Sequence, residues 1–343
     1  MRATIVLTLR NEGAFLLEWL AHHRGLGFSD FLVFSNDCQD GTDAMLDRLQ
    51  EMGWLQHLRN DGPHDKGGVQ WSALKRADRH PLVREADWLL SLDIDEFVNI
   101  HVGDHTLAAL LGALPEADAI TLTWRLFGNC GLLEYRDAPV LEQFRRAAPA
   151  VMAWPWRAFM FKTLYRNNGA YRKLGVHRPR APVDGLAERA RWFDGEGREL
   201  PPRFRRGQIF SPFGRENYRL VQLNHYPLGA MESYLLKRDR GRAVHGGHEL
   251  GLDYWAERNW CQQEDLSIAA SAPLAAPYSE QLRADATLAR LHGQAVAWRH
   301  RRLEELLAQE PYRALLGRLI MTPPARMMAP ELARRLFEHA RNK

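Results

Sequence analysis

The segment Trp88-Leu89-Leu90-Ser91-Leu92-Asp93-Ile94-Asp95-Glu96-Phe97 carries an apolar strand directly into three carboxylates. Charge at the end of a buried strand must be repaid, by a cation or by a proton. Side chains alternate along a strand, which predicts Asp93 and Asp95 on the same face. Two carboxylates so placed repel, and a divalent oxygen-loving ion such as Mg²⁺ or Mn²⁺ resolves the repulsion. Such ions also hold phosphate oxygens, which points to nucleotide chemistry. Asp95 lies further beyond the apolar run and is the better direct ligand, leaving Asp93 to face a ribose. An Asp-x-Asp pair alone is weak, because a helix cap or an arginine partner would also explain it. Its position in the chain is what gives it weight.

Three further groups offer matching chemistry. In Thr8-Leu9-Arg10-Asn11-Glu12-Gly13, Asn11 is either a helix N-cap or, with Glu12, a hydrogen-bonding partner for a base and ribose. Arg10 then approaches a phosphate, although neither G-x-G-x-x-G nor a P-loop follows this run. Between Ser35 and Asp43, Asp37 is best placed for ribose hydroxyls or a uracil edge; turn formation explains the same residues equally well. Lys66, Gly67, Gly68 and Gln70 precede a helix, where glycine allows close backbone approach and Lys66 suits a phosphate. Of 14 histidines, His225 stands out because it ends the strand-like Leu220-Val221-Gln222-Leu223-Asn224. A neutral imidazole there would complete a carboxylate-bound metal site, with His177 as its rival. Lys237, Arg238, Arg240 and Arg242 suit a diphosphate or form a solvated helix face.

These groups need a frame, and the first hundred residues supply one. Residues 3–9, 31–34, 54–58 and 87–93 read as strands, and 13–24, 42–52 and 67–79 as helices. Such alternation means a mostly parallel sheet with helices on both faces, and ligands bind beyond the carboxyl ends of its strands. Residues 120–124 and 219–226 add strands, 127–131 a turn, and 178–215 an Arg-, Pro- and Gly-rich excursion. From Met231 onward the pattern is helical, with long stretches at 279–308 and 329–341.

In order and spacing, these motifs resemble the GT-A nucleotide-sugar glycosyltransferases, family 2-type with a family 92-like character. The resemblance rests on Arg10-Asn11-Glu12, Phe15 through His23, Asn36 through Thr42, Asp93 through Phe97, Phe127 through Gly131, His177, His225-Tyr226, Lys237 and Arg240-Gly241. It implies a GT-A fold over residues 1–230 with a helical extension over 231–343 packed on it. It also implies a UDP-sugar or related donor, a Mn²⁺ or Mg²⁺ ion, and an acceptor hydroxyl on a glycan or lipid-linked molecule of surface polysaccharide synthesis. Asp93, Asp95 and His225 would serve the metal, and Arg10, Asn11, Glu12, Asp37, Lys66, Gln70 and Asp93 the donor. Family 2 enzymes carry an acidic Glu-Asp pair as general base, and this chain has no clear counterpart. Glu134, Asp137, Glu142 and Asp184 compete for the role, so the base stays unassigned with Asp184 as its named candidate, and the resemblance favours inversion. The rivals are a nucleotidyltransferase of related fold and a non-catalytic binding protein that keeps the fold.

Composition restricts the remaining possibilities. The 343 residues are 45% hydrophobic and 26% charged with a net charge of +4, too little and too dispersed for nucleic acid. The sequence shows neither a transmembrane run nor a signal-like start, so a cytoplasmic location is expected. Residues 312–343 hold seven Lys/Arg and two Asp/Glu among apolar residues; they predict helices packed on the catalytic domain or resting on the inner face of an anionic membrane. Cys38, Cys130 and Cys261 are far apart and odd in number, and are expected as buried free thiols.

Overall fold

Ala3–Leu9 sets Ala3, Ile5, Leu7 and Leu9 on one face and Val6 between Thr4 and Thr8 on the other, with nearly every position buried, so it forms an interior strand, β1, of a mixed sheet. The computed structural model describes residues 1–64, 67–212, 214–241 and 250–341. The alternation continues through α1 (Gly13–Gly25), β2 (Asp30–Ser35), α2 (Thr42–Glu51), β3 (Gln56–Arg59), α3 (Val69–Ala77), α4 (Pro81–Arg84) and β4 (Trp88–Leu92). Next come β5 (Glu96–Ile100), α5 (Leu107–Ala113), β6 (Ala119–Leu126), α6 (Val140–Gln143), β7 (Arg146–Ala147) and β8 (Phe161–Arg166). β9 (Tyr171–Lys173), β10 (Arg180–Pro182), β11 (Trp192–Asp194) and β12 (Val221–His225) complete the sheet region. The rest is α7 (Met231–Arg240), α8 (Leu252–Arg258), β13 (Gln263–Glu264), α9 (Ala272–Ala284), α10 (Ala286–Leu307), α11 (Glu310–Met321) and α12 (Pro330–Arg341).

The large sheet runs β3-β2-β1-β4-β8-β6-β12-β5, with β11 paired to β6. β3, β2, β1 and β4 are parallel, whereas β8 runs against both β4 and β6. The mixed α/β architecture with helices on both faces matches the sequence-based expectation. Alternation along β1 divides the core: Ile5, Leu7 and Leu9 face one apolar layer with α1 and α2, and Val6 faces the other with α3. β6 is shared between partners, its residues 119–123 pairing with β8 and 124–126 with β12. That arrangement brings the ends of β4 and β12 toward one edge.

The C-terminal helices complete the first layer. Leu282 of α9 and Leu288, Leu291 and Ala295 of α10 share the apolar cluster of β1 and α1. α9 crosses α1 at Gly25, where a Cβ would lie 2.6 Å from the Leu274 carbonyl oxygen. A side chain there would push the two helices apart. Among the described residues, no helix is long and apolar enough to cross a membrane.

Two expectations are corrected. Cys130 and Cys261 are joined by a disulfide and only Cys38 remains a thiol; a pairing across 131 residues leaves no local trace in sequence. The bridge closes the turn Phe127-Gly128-Asn129-Cys130-Gly131 on the chain at Trp260, and a Cβ on Gly128 would lie 2.4 Å from the Trp260 carbonyl oxygen. Asn129 reinforces the contact: its backbone N–H donates to Asn259 Oδ1 at 2.8 Å and its Nδ2 donates to Gly229 O at 2.7 Å. The second correction concerns the carboxylate segment itself. β4 stops at Leu92, and residues 93–95 form a turn into β5 that β-alternation cannot describe.

α1 is tied to β5 by two buried imidazoles. His22 Nε2 lies 2.8 Å from Val98 O, His23 Nδ1 lies 2.9 Å from Trp19 O, and Val98 N–H donates to His23 Nε2 at 3.3 Å. Burial pushes the His22 imidazole down to about 4 and holds His23 below its usual range as well, so both are neutral in the folded state. Because the folded pKa is depressed, the unfolded chain binds more protons below about 6.5, and stability falls as pH drops from there toward 4. For His22 the loss is on the order of 3 kcal/mol across that window. Urea unfolding at pH 7, 5.5 and 4.5 should show this decline, and His22→Gln should flatten it. A parallel decline in the variant would refute the assignment to His22.

Candidate active site

The turns after β1 and β2 interlock before any ligand is considered. Asn11, at φ 55°, accepts the Gln39 N–H at 2.7 Å and does not cap its own helix. The first N–H groups of α1 go across the gap, Glu12 N–H to Thr42 Oγ1 and Gly13 N–H to Asp40 Oδ2, both at 3.0 Å. Asn36 donates to Leu9 O at 2.8 Å and accepts from Asn60 Nδ2 at 2.6 Å. Asp37, at φ 44°, accepts the Gly62 N–H at 3.2 Å. This rigid rim bounds a cleft of about 510 Å³ at the carboxyl ends of β1, β2, β4 and β12. Arg10, Glu12, Asp37, Gln70, Asp93, Asp95, His177, His225, Lys237 and Arg240 all line it.

The carboxylate charge is repaid mostly by two lysines. Lys162, fully buried in β8, places Nζ 2.8 Å from Asp93 Oδ2 and 3.4 Å from Glu96 Oε2. Burial pulls its ammonium down, and Asp93 and Glu96 more than offset that pull. Asp93 also accepts from Gln70 Nε2 at 3.2 Å. Glu96, fully buried, accepts Trp124 Nε1–H at 2.6 Å and the Asp93 N–H at 2.9 Å. Burial, with Asp93 and Asp95 close by, pushes the Glu96 carboxyl up to about 8 against the pull of Lys162.

Asp95 points elsewhere. Lys237 Nζ of α7 donates to its Oδ2 at 2.7 Å and to Pro227 O at 2.7 Å. Burial favours the protonated acid, but Lys237 and His225 outweigh it and hold Asp95 well below the usual carboxylate range. His225 Nε2 sits 3.7 Å from Asp95 Oδ1, too far for a hydrogen bond, and its buried Nδ1 has no partner. The ring packs on Trp124 at 4.3 Å, and burial lowers its pKa, leaving a neutral imidazole. Asp93 and Asp95 therefore do not converge on one point between them, contrary to the same-face expectation, because the turn sends each to a different lysine.

The fit of a divalent ion can be judged on this geometry. Among the described residues, no three His, Cys, Asp or Glu side chains cluster as a complete metal site. Asp95 Oδ1 and His225 Nε2 do form a partial set, an anionic oxygen and a neutral nitrogen 3.7 Å apart. An ion with bond lengths of about 2.1 Å reaches both, and Mg²⁺-type ions commonly take few protein ligands with phosphate oxygens and water completing the shell. Those two residues fit the ion. Asp93 is committed to Lys162 and Gln70.

Basic groups form the rim opposite. Arg240 pairs with Glu12 and donates to Arg10 O at 3.2 Å, while Arg10 Nε is buried without a partner. Burial, then Arg299 and Arg10, lower Arg240 to about 10. A smaller cavity of about 80 Å³ adjoins this rim, walled by Phe15, Tyr135, Phe144, Tyr226 and Trp298.

Asp184 is not brought to the cleft. Its side chain is 90% exposed on the far excursion and pairs with Arg206 at 3.1 Å. Lys66 and Arg242 lie outside the described residues. Sequence reading missed Lys162 and Trp124. The available signal was one lysine inside the otherwise strand-like Phe161-Lys162-Thr163-Leu164-Tyr165.

No family model matches this chain. It is similar to a glycosyltransferase family 92 protein of Ricinus communis, 25% identical over 101 residues, covering 29% of this chain and 17% of that protein. A second family 92 protein, from Oryza sativa subsp. japonica, is 24% identical over 148 residues, 41% of this chain and 24% of that one. The chain thus spans less than a quarter of either relative's length in these matches. Among solved structures, S. aureus TarS covers 49% of this chain and 28% of its own at 17% identity with TM-score 0.31. An active-site mutant of LgtC covers 71% of this chain and 92% of its own at 13% identity with TM-score 0.30.

Proposed function

We propose that this chain is a metal-dependent glycosyltransferase that moves a sugar from a nucleoside-diphosphate sugar, most simply a UDP-sugar, to an acceptor hydroxyl. The observation that carries the proposal is the charge arrangement in one cleft: anionic Asp95 beside neutral His225, with Lys237, Arg240 and Arg10 around them. Anionic oxygen plus imidazole suits a divalent ion, and the basic rim suits a diphosphate. Weak sequence similarity to family 92 glycosyltransferases supports the same class.

In this proposal Glu12 and Asp37 on the interlocked turns face the base and ribose, Asn11 holds those turns together through Gln39, and Gln70 steadies Asp93 near the ribose. Asp95 and His225 hold Mn²⁺ or Mg²⁺, which when bound neutralises charge building on the departing diphosphate. Lys237, Arg240 and Arg10 add preorganised positive charge at the same place, in a cleft that Trp124 and Tyr254 also line. The acceptor is a glycan or a lipid-linked molecule of surface polysaccharide synthesis. Exposed Ile320, Met321, Met327 and Leu332 beside Arg318, Arg326, Arg334 and Arg335 support contact of this end with an anionic lipid surface.

A thermal-shift screen of nucleotide sugars with and without Mn²⁺ tests the proposal, since a ligand that binds only the folded state raises its stability. At a hundredfold excess over Kd the gain is about 2.7 kcal/mol. The expected result is stabilisation by one UDP-sugar that depends on Mn²⁺, followed by slow release of free UDP. Pyrophosphate release would favour nucleotidyl transfer, and binding without turnover a non-catalytic protein.

A further inference from the structure

The cleft lacks an assigned base for the acceptor hydroxyl, and its carboxylates are already engaged. Glu12 is paired with Arg240, Asp93 with Lys162, and Asp95 with Lys237. Asp37 Oδ1 is bound to the Gly62 N–H. A carboxylate neutralised by a lysine or arginine gives up little by staying ionised and is a poor acceptor for a proton.

His177 stands differently. It lies between β9 and β10 on the cleft wall, with Nδ1 3.1 Å from the Phe161 carbonyl oxygen. A carbonyl oxygen only accepts, so Nδ1 carries the ring hydrogen and Nε2 is left as a lone pair. Among the described residues that Nε2 makes no hydrogen bond, and it is not a buried orphan, so it opens to the cleft. The ring meets Trp124 edge-on at 5.6 Å, and the same indole packs on His225 at 4.3 Å. One tryptophan therefore touches both His177 and His225, and all three line the same cleft.

We propose that His177, through Nε2, is the general base that deprotonates the acceptor hydroxyl, an assignment that rests on the sugar-transfer function proposed above. The acceptor oxygen forms a bond to the anomeric carbon as that carbon's bond to the diphosphate oxygen breaks. The bonding pair leaves with the nucleoside diphosphate, and the acceptor's proton passes to Nε2, giving an imidazolium that returns the proton to solvent. Direct attack by the acceptor oxygen, with no covalent enzyme intermediate, makes this a single displacement with inversion at the anomeric carbon. Burial, with Lys162 next to it, pushes the imidazole down to about 4, so the ring is neutral at neutral pH and its Nε2 lone pair carries no proton. The lone-pair nitrogen is thus fixed by the fold before any acceptor arrives.

The test uses the full chain and the nucleotide sugar that stabilises it most, with water in the acceptor's place. His177→Asn keeps a side-chain N–H for Phe161 O and deletes the base. Its turnover is expected to fall by about 10²–10⁴-fold while Kd for UDP with Mn²⁺ changes by less than about twofold. In His177→Gly, added imidazole should restore turnover by about tenfold or more. Turnover of the Asn variant within about fivefold of the parent overturns the proposal. So does a parallel loss of UDP–Mn²⁺ affinity, which would make His177 a metal or donor ligand instead. A parent protein that binds and turns over no nucleotide sugar overturns the sugar-transfer function itself, and does so before any variant is made.

Discussion

Asp95→Asn is expected to lower metal-dependent sugar transfer by about 10²–10³-fold, with UDP affinity in Mn²⁺ falling alongside it. Asp95 is the anionic member of the Asp95–His225 pair, and its charge is maintained in the fold by Lys237 at 2.7 Å. The amide keeps the shape and can still accept from Lys237, but it offers an ion no negative charge. It also leaves a half-buried ammonium without its counter-ion, which disfavours the protonated lysine and weakens the rim where a diphosphate would lie. Two measurements separate these effects. Calorimetry with UDP reports affinity with and without Mn²⁺, and urea unfolding reports stability, which should drop by about 1–3 kcal/mol. Asp93→Asn is the internal contrast: its partners are Lys162 and Gln70, so Mn²⁺ dependence should survive in that variant. Unchanged Mn²⁺-dependent turnover in Asp95→Asn would sink the metal assignment.

Local pattern carried much of this architecture and stopped where long-range contacts began. β1, α1, β2 and α2 follow directly from apolar runs and helical spacing, so the rim built by Asn11, Glu12, Asn36 and Asp37 was readable in outline. The details were not: Asn11 reads as a cap, yet its side chain goes to Gln39 and the α1 N–H groups go to Asp40 and Thr42. β5 and β8 were missed because short antiparallel strands have no crossover helix to announce them. Missing β8 meant missing Lys162, and missing the turn at residues 93–95 made one shared cation look necessary. The demand for positive charge was legible in Asp93, Asp95 and Glu96; its supply came from residues 162 and 237, far along the chain. Asp184 was the opposite error, an acid named because the base was missing, when the fold leaves it in solvent beside Arg206.

Lys162→Met should cost the fold about 3–5 kcal/mol at alkaline pH, because it leaves buried carboxyl groups without their cation. The site is demanding: Lys162 and Glu96 are both fully buried, and Asp93 is the only partly solvated member of the three. Glu96 supplies the pH signature. Its folded carboxyl is pushed up to about 8 from an ordinary value of 4.5, so the folded state binds more protons than the unfolded chain in that interval. With the folded pKa raised, Glu96's contribution to stability falls as pH rises through that window. Methionine removes the cation that eases ionisation most, so Glu96 stays protonated to still higher pH and the penalty grows toward the alkaline end. Unfolding in urea at pH 6 and pH 9 should show a larger deficit for the variant at pH 9. Lys162→Met combined with Glu96→Gln should recover much of it, since a neutral amide still accepts from Trp124 Nε1 and the Asp93 N–H. A deficit independent of pH, or no recovery in the double variant, would mean that Lys162 serves Asp93 alone. Recovery would instead make the lysine the group that lets three acids share the end of one strand, leaving Asp95 ionised on the side of the turn that faces His225.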